Sequence, residues 1–579
     1  MQTGAGKTRE TRPIQPSFRT LFVNIAHFHS NLTMPSPNLP SAPDDNAYAS
    51  YTLDHHGLVA GMVDELGLVE KIDAMIPQDL GQRHISVGVA VKAMIIIGLG
   101  FVQRALYLTP DFFRGKPVGR LLGPGITAEM LNDDALGRAL DAIFAFGVEA
   151  FYFLLASGVV RQLGLSGEGG HLDSTSFHVD GEYNSGDGSA AEGVVHIRQG
   201  YSRDHRPDLN QVVLQLVSES QAGIPLLMAA AGGNVNDQAG FHGLVQRHKG
   251  QLEGGGLQYL VADSALYTPK SLQALRETTW VSRVPETFGS ACEIIHAVAG
   301  ELAGGGEEMA WRTLCVTEAG VRQRWLVVHS RAARHRAEKT LEKKHLKQGE
   351  AELKAFDRLR RQDFACEADA QAALDAFAKG LKLTMVREGR IVRQTTPAKK
   401  RRQAEGQTPC AVEGQLASRT DVHARQLLQK SCFVVATNDT TGAVLSDEQA
   451  LEAYRKDQQK VERGFRFLKD PLFMASTLFL KSPRRIMALM AIMTLCLMVY
   501  AALEHRIRQG LAQQSQTFPD QKGKPTECPT ARWVFQSFMD IHILTLPTLA
   551  EIVLNLKTHH RALINLLGER YVAVYANSG

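Results

Sequence analysis

At 579 residues, 44% hydrophobic and 21% charged, the chain is long enough for several cores and has a globular composition, which excludes a disordered or fibrous protein. Its net charge of +4 permits nucleic-acid contact through local patches without requiring it. Cysteines at 292, 315, 366, 410, 432, 496 and 528 form no CxxC pair, so neither a zinc knuckle nor a disulfide framework is indicated, and a reducing, intracellular setting is expected.

Residues 1–50 read as a disordered leader: they are rich in Pro, Ser, Asn and Thr, with Lys7, Arg9, Arg12 and Arg19 against Glu10 alone before Asp44, and Met34 is an alternative start. GAGKT at 4–8 is not a phosphate loop, because the first Gly of GxxxxGK[ST] would fall on Met1 and no strand precedes it. From 51 to 165 the apolar spacing is helical, over 58–76, 87–106 and 134–160, with Asn132 or Asp133 as the cap of the third. This succession fits a DNA-binding region of helix-turn-helix type and equally a plain bundle. The adjacent His55 and His56 point different ways and do not suit a metal pair.

At Gly170 the period becomes alternating. HLDSTSFHV (171–179), QVVLQLVSES (211–220) and IPLLMAAAGG (224–233) predict strands, followed by a helix over 237–249, a strand over 257–267, a short helix after Pro269 and a strand over 280–285. That order predicts an α/β, ribonuclease-H-like mixed sheet, its first part spanning 166–286. Residues 287–430 read as an insertion: a hairpin over 311–330, a charged helical run over 331–382, and a basic stretch. In that stretch Lys399, Lys400, Arg401 and Arg402 are either a DNA-backbone patch or a solvated loop. The core resumes over 431–505, beginning with CFVVATN (432–438), and a helical C-terminal region occupies 506–579. The apolar segment 486–503 just reaches the length of a membrane span, but it is short, rich in Met and Ala, and set between amphipathic stretches. It is expected to be the central helix of a large soluble core.

A helix over 446–469 carries Tyr454, Val461, Phe465 and Leu468 on one stripe, with Arg455, Gln459, Glu462, Arg466 and Lys469 beside it. Glu462 among cations suits a metal ligand that must meet a phosphodiester, and equally an i,i+4 pair with Arg466. Asp173 lies in the first strand and Asp263 at the end of the fourth, strands that neighbour one another in this sheet order, so their carboxylates converge. With Glu462 they make a site for two divalent cations about 3.5–4 Å apart. Oxygen ligands without Cys or clustered His select Mg²⁺ or Mn²⁺. The plainer alternatives are local turns, Asp173 with Ser174 or Thr175 and Asp263 with Ser264. In the loop 200–211, Arg203 and Arg206, with Tyr201 and His205, are placed for phosphate contact, or form a polar loop capped by Asp204 or Asp208.

Three stretches, HLDSTSFHVDG, VADSALYT and YRKDQQKVERGFRFLKDP, resemble the DDE transposases of the IS4 superfamily, most closely the IS1634-type branch, over about 170–480. Glu462 and Lys469 keep the family spacing, whereas Tyr454 stands one position early and Gln458 replaces an arginine; Tyr454 and Arg455 are then the candidates for the contacts near the cleaved phosphate. The resemblance implies that Asp173, Asp263 and Glu462 form the catalytic, metal-binding triad and that Lys469 contacts transposon-end DNA. It further implies nicking at element ends and strand transfer into target DNA, with double-stranded DNA (terminal inverted repeats and target) as partner. A homodimer on DNA and a cytoplasmic, nucleoid-associated bacterial protein away from the membrane are implied too. Three other readings stay open: a catalytically inactive DNA-binding descendant, a ribonuclease-H-fold nuclease without strand transfer, and a protein anchored through 486–503.

Overall fold

The computed structural model describes residues 48–578 except 79–83, 102–105, 167, 180–182, 184–192, 201–205, 235–256, 394–408, 458–476, 479 and 549. Helical spacing in the N-terminal region is realised as His56–Glu65, Leu68–Met75, Val87–Gly98, α1 (Asp133–Phe146) and α2 (Val148–Gln162). Asn132 is the cap, its Oδ1 accepting the Ala135 N–H at 2.9 Å. The single helix expected over 134–160 is two. Gly147 has φ +104°, outside the right-handed helical region, and α1 and α2 meet at 90°.

The central sheet begins with β1 (Gly169–Val179), β2 (Asn210–Glu219) and β3 (Pro225–Gly232), which run antiparallel in turn. β4 (Tyr259–Ala262) lies parallel to the other side of β1, and β5 (Thr279–Arg283) lies parallel to β4. The resulting order, β3-β2-β1-β4-β5, is that of a ribonuclease-H-like mixed sheet. Four of the five strands match their sequence patterns within two residues; the fourth ends at Ala262 because Asp263 already turns the chain. The helix expected over 237–249 lies outside the described residues.

The stretch 287–430 divides in two. After α3 (Gly289–Gly304), β6 (Met309–Glu318) and β7 (Val321–Ser330) form the expected hairpin. It joins the core sheet, because β8 (Cys432–Thr437) pairs with β5 on one side and β7 on the other. The charged run is α4 (Arg331–Arg360) followed by Glu367–Gly380; together with the hairpin of Thr384–Arg393 and Cys410–Ser418 it encloses a small cluster around Phe356, Leu359 and Leu374.

Alternation sorts the two faces of the sheet. Leu172, Val217, Leu260, Ala262 and Trp280 pack beneath α3. On the opposite face Val261, Val281 and Val435 pack against α5 (Asp447–Glu452). Phe177, Leu214, Leu216 and Met228, on that same face, join the N-terminal helices and α6 (Pro483–Gln513).

α6 contains the apolar segment and is enclosed on all sides, with 94% of its most apolar window buried. α1, α2, β3 and Thr558–Leu567 surround it, which explains an apolar surface all round rather than on one stripe. Arg485 at its start forks onto Asp141 at 2.8 and 2.6 Å. The C-terminal region adds strands to its helices. His542–Thr545 pairs with Glu551–Leu554 and with Ala49–Thr52 near the other end of the chain, so the N- and C-terminal regions share one core.

Candidate active site

The register places the first two acids. Leu172 opposite Ala262 is the last aligned pair of β1 and β4, and the next residue on each strand is an aspartate, Asp173 and Asp263. Neighbouring parallel strands run about 4.8 Å apart, so Asp173, still within β1, and Asp263, the first residue of the turn after β4, both follow directly on that last aligned pair. β4 ends at Ala262, whereas β1 continues, and among the described residues it pairs again on its parallel side at His178 and Val179, with Thr477–Leu478. Asp173 therefore lies within β1, level with the carboxyl end of its parallel neighbour β4, while its other neighbour, β2, is antiparallel. Crevices in open α/β sheets form at such points.

Parity also fixes what surrounds the pair. Asp173 shares its face with Phe177 and with its cross-strand partner Leu216, under the helical bundle, and Val261, two residues before Asp263, lies on that same face under α5. Both aspartates are half-buried. Asp173 Oδ1 accepts the Ser174 N–H at 2.7 Å, and Asp263 Oδ1 accepts the Ala265 N–H at 2.9 Å. These are the local turn contacts that the sequence offered as the plain alternative. They do not exclude ligation, since an ionised carboxylate has about four acceptor sites.

Sequence reasoning missed Ser282. Its hydroxyl, fully buried on β5, donates to the Asp263 carbonyl at 2.8 Å and fixes the backbone from which that carboxylate projects. The signal was present as a lone serine in the apolar alternation of WVSRV.

The helix over 446–469 is well started. Ser446 and Gln449 form a capping box, and the preceding loop closes around Asp439. Beyond Glu452 the chain takes a π-helical turn over Ala453–Asp457, and Val461, Phe465 and Leu468 of the expected stripe lie outside the described residues. Tyr454 packs with Val261 and Val281, while Arg455 is exposed, its Nη1 3.5 Å from the Met309 sulfur. Glu462, Lys469, Arg203, Lys399, Lys400, Arg401 and Arg402 lie outside the described residues. Arg206 is exposed and forks onto Asp208 at 2.9 and 2.8 Å, the polar-loop contact among the alternatives.

The strand order of the sheet is that of a ribonuclease-H-like fold. Residues 166–499, more than half of the chain, match the family described as transposase DDE domain, and the protein belongs to that family. Residues 48–157 match a domain of unknown function, DUF4277. The cryo-EM structure of the piggyBac transposase synaptic complex with hairpin DNA aligns with 83% of this chain and 80% of its own, at 9% identity and a TM-score of 0.33. No curated protein matches the chain.

DDE transposases generally use divalent metal ions. Asp173 and Asp263, two half-buried carboxylates, offer the oxygen ligands that suit a hard cation such as Mg²⁺ or Mn²⁺. Among the described residues no group of three His, Cys, Asp or Glu is placed to hold a metal.

Proposed function

We propose that the protein is a DNA transposase of the IS4 superfamily, IS1634-type branch. It cleaves phosphodiester bonds at the ends of an insertion element and joins the freed 3′-hydroxyls to target DNA. The observation that carries this reading is the register of β1 and β4, whose last aligned pair, Leu172 and Ala262, is followed in each segment by an aspartate, Asp173 and Asp263. Glu462 completes the set. It belongs to the connection between Asp457, whose turn packs on β4 and β5, and Thr477, which pairs beside His178 on β1, so the chain carrying it is anchored on both sides of the aspartates.

Asp173, Asp263 and Glu462 would hold two Mg²⁺ or Mn²⁺ ions, which would supply activation of the attacking water or 3′-hydroxyl and neutralisation of charge on the leaving oxygen. Asp263 is held in place through Ser282 and the turn to Ala265. Tyr454, Arg455 and Lys469 contact DNA near the cut phosphate, and Arg203, Arg206 and Lys399 to Arg402 contact the backbone, where cations release condensed counterions. The N-terminal helices contribute DNA binding. The protein acts in the bacterial cytoplasm as a homodimer, since two element ends require two sites.

The test is Mg²⁺-dependent cleavage of DNA carrying the inverted repeats that flank the reading frame, comparing native protein with Asp173→Ala, Asp263→Ala and Glu462→Ala. All three variants are expected to bind but not cut. An alanine variant that still cuts removes that residue from the triad. A native chain that binds and never cuts refutes the enzyme. Cleavage without joining of a pre-cut end to target DNA refutes strand transfer.

A further inference from the structure

β6 is the last strand on its side of the sheet, and among the described residues no strand pairs with its outer edge. It is ten residues long and stays in register with β7 from Met309 to Glu318 without a bulge. An edge of that length presents a row of unpaired backbone groups, a template for another strand. The direction of those groups follows from the hairpin. Its two-residue turn, Ala319–Gly320, has positive φ at both positions, +51° and +76°, which makes Glu318 and Val321 the hydrogen-bonded closing pair. Hydrogen-bonded pairs alternate from there. Even-numbered residues of β6 therefore bond to β7, and Met309, Trp311, Thr313, Cys315 and Thr317 turn their N–H and C=O groups outward.

The side chains select the occupant. Arg312 and Glu318 are the only charged residues of the strand, they share one face, and they stand at equal distances on either side of Cys315. In an antiparallel pairing of two copies about Cys315, Arg312 of each copy stands opposite Glu318 of the other. Leu314 then meets Val316, Thr313 meets Thr317, and Cys315 meets itself. Moving the centre to Leu314 sets Arg312 against Val316 and Glu318 against Ala310. Moving it to Val316 sets Arg312 against Gly320 and Glu318 against Leu314, so only the Cys315 register pairs the charges. Arg312 is exposed and already within 2.8 Å of Glu301 on α3, so an acidic neighbour holds it on the face where the opposing Glu318 would arrive.

We infer that β6 is a dimerisation edge: two copies of this chain pair their β6 strands antiparallel about Cys315 and merge their sheets into one. The inference stands on the strand edge, independently of the catalytic reading, and is measured without DNA. Light scattering of the full chain is expected to give twice 63.5 kDa. Arg312→Glu sets acid against acid on both sides of the two-fold axis and is expected to give monomer. The double variant Arg312→Glu/Glu318→Arg exchanges the signs and is expected to restore the dimer.

Thr317→Pro removes an outward N–H while sparing the bonds to β7, and is also expected to give monomer with an unchanged circular dichroism spectrum. Opposed Cα atoms in a hydrogen-bonded pair lie about 5.5 Å apart, so a short bismaleimide is expected to join two copies through Cys315, and Cys315→Ser to abolish the product. Cys366 and Cys528, which are also exposed, serve as internal controls. A monomeric native chain, a dimer that survives both Arg312→Glu and Thr317→Pro, or intermolecular links mapping to other cysteines would overturn the inference.

Discussion

Asp439→Asn probes the loop that launches α5. Asp439 Oδ1 accepts the N–H groups of Thr441, Gly442 and Ala443 at 3.2, 2.9 and 3.3 Å and the Thr441 hydroxyl at 3.1 Å. Oδ2 accepts those of Val444 and Leu445, each at 3.0 Å. Burial alone would raise this carboxyl, but the donors from Leu445, Val444, Thr441 and Gly442 together outweigh it and bring it down to about 2. Asparagine keeps the shape and exchanges one acceptor for a donor. With the amide nitrogen in the place of Oδ2, two backbone N–H groups lose their acceptor; in the place of Oδ1, three do. Each unsatisfied buried group costs about 1–3 kcal/mol, so a local loss of roughly 3 kcal/mol is expected, about a hundredfold in the opening equilibrium. Hydrogen exchange read by mass spectrometry over 441–445 is expected to accelerate by about that factor, while β3 is unchanged. Acceleration below about threefold would refute the reasoning. Because the folded carboxyl titrates below its ordinary value, its contribution is complete above about pH 3.8 and is lost as pH falls through about 2.

Burial holds His55 down to about 4; its ring stacks on those of His56 and Phe535, and its Nε2 donates to the Leu99 carbonyl at 2.8 Å. The unfolded chain takes up that proton near pH 6.5, so stability is full above 6.5 and falls by about 3 kcal/mol as pH drops toward 4. Urea midpoints at pH 7 and 4.5 are expected to differ less in His55→Phe than in native protein, and equal differences would refute the assignment. Tyr152→Phe removes the fully buried hydroxyl that donates to the Pro225 carbonyl at 2.8 Å and ties α2 to β3; it is expected to cost about 1–2 kcal/mol in thermal unfolding. Gly88→Ala would put a Cβ 2.5 Å from the Val69 carbonyl oxygen and 2.9 Å from its Cα, where backbone leaves no room. A loss of about 2 kcal/mol or more is expected, and an unchanged melting temperature would refute close packing of these two helices.

Alternation and helical spacing are local properties, and they sufficed for what depends on neighbours in sequence. The strands of β1 to β3, the cap at Asn132, the hairpin over 311–330 and the all-round apolar α6 were legible because each is specified within about one element's length. So was the placing of Asp173 within a strand and Asp263 at a strand end. Gly147 was not read as a break, because an apolar helical pattern continues across it and only the backbone angle shows the turn. The attachment of β6 and β7 to the core sheet depends on β8, about a hundred residues away in sequence, and no local pattern announces such a partner. The joining of Ala49–Thr52 to His542–Thr545 is the extreme case. The sequence by itself determined which segments become strands and helices and which faces they bury. Only the tertiary structure decided that β1 and β4 pair in the register whose last aligned residues are each followed by an aspartate, because strand pairing over long separations sets which segments meet.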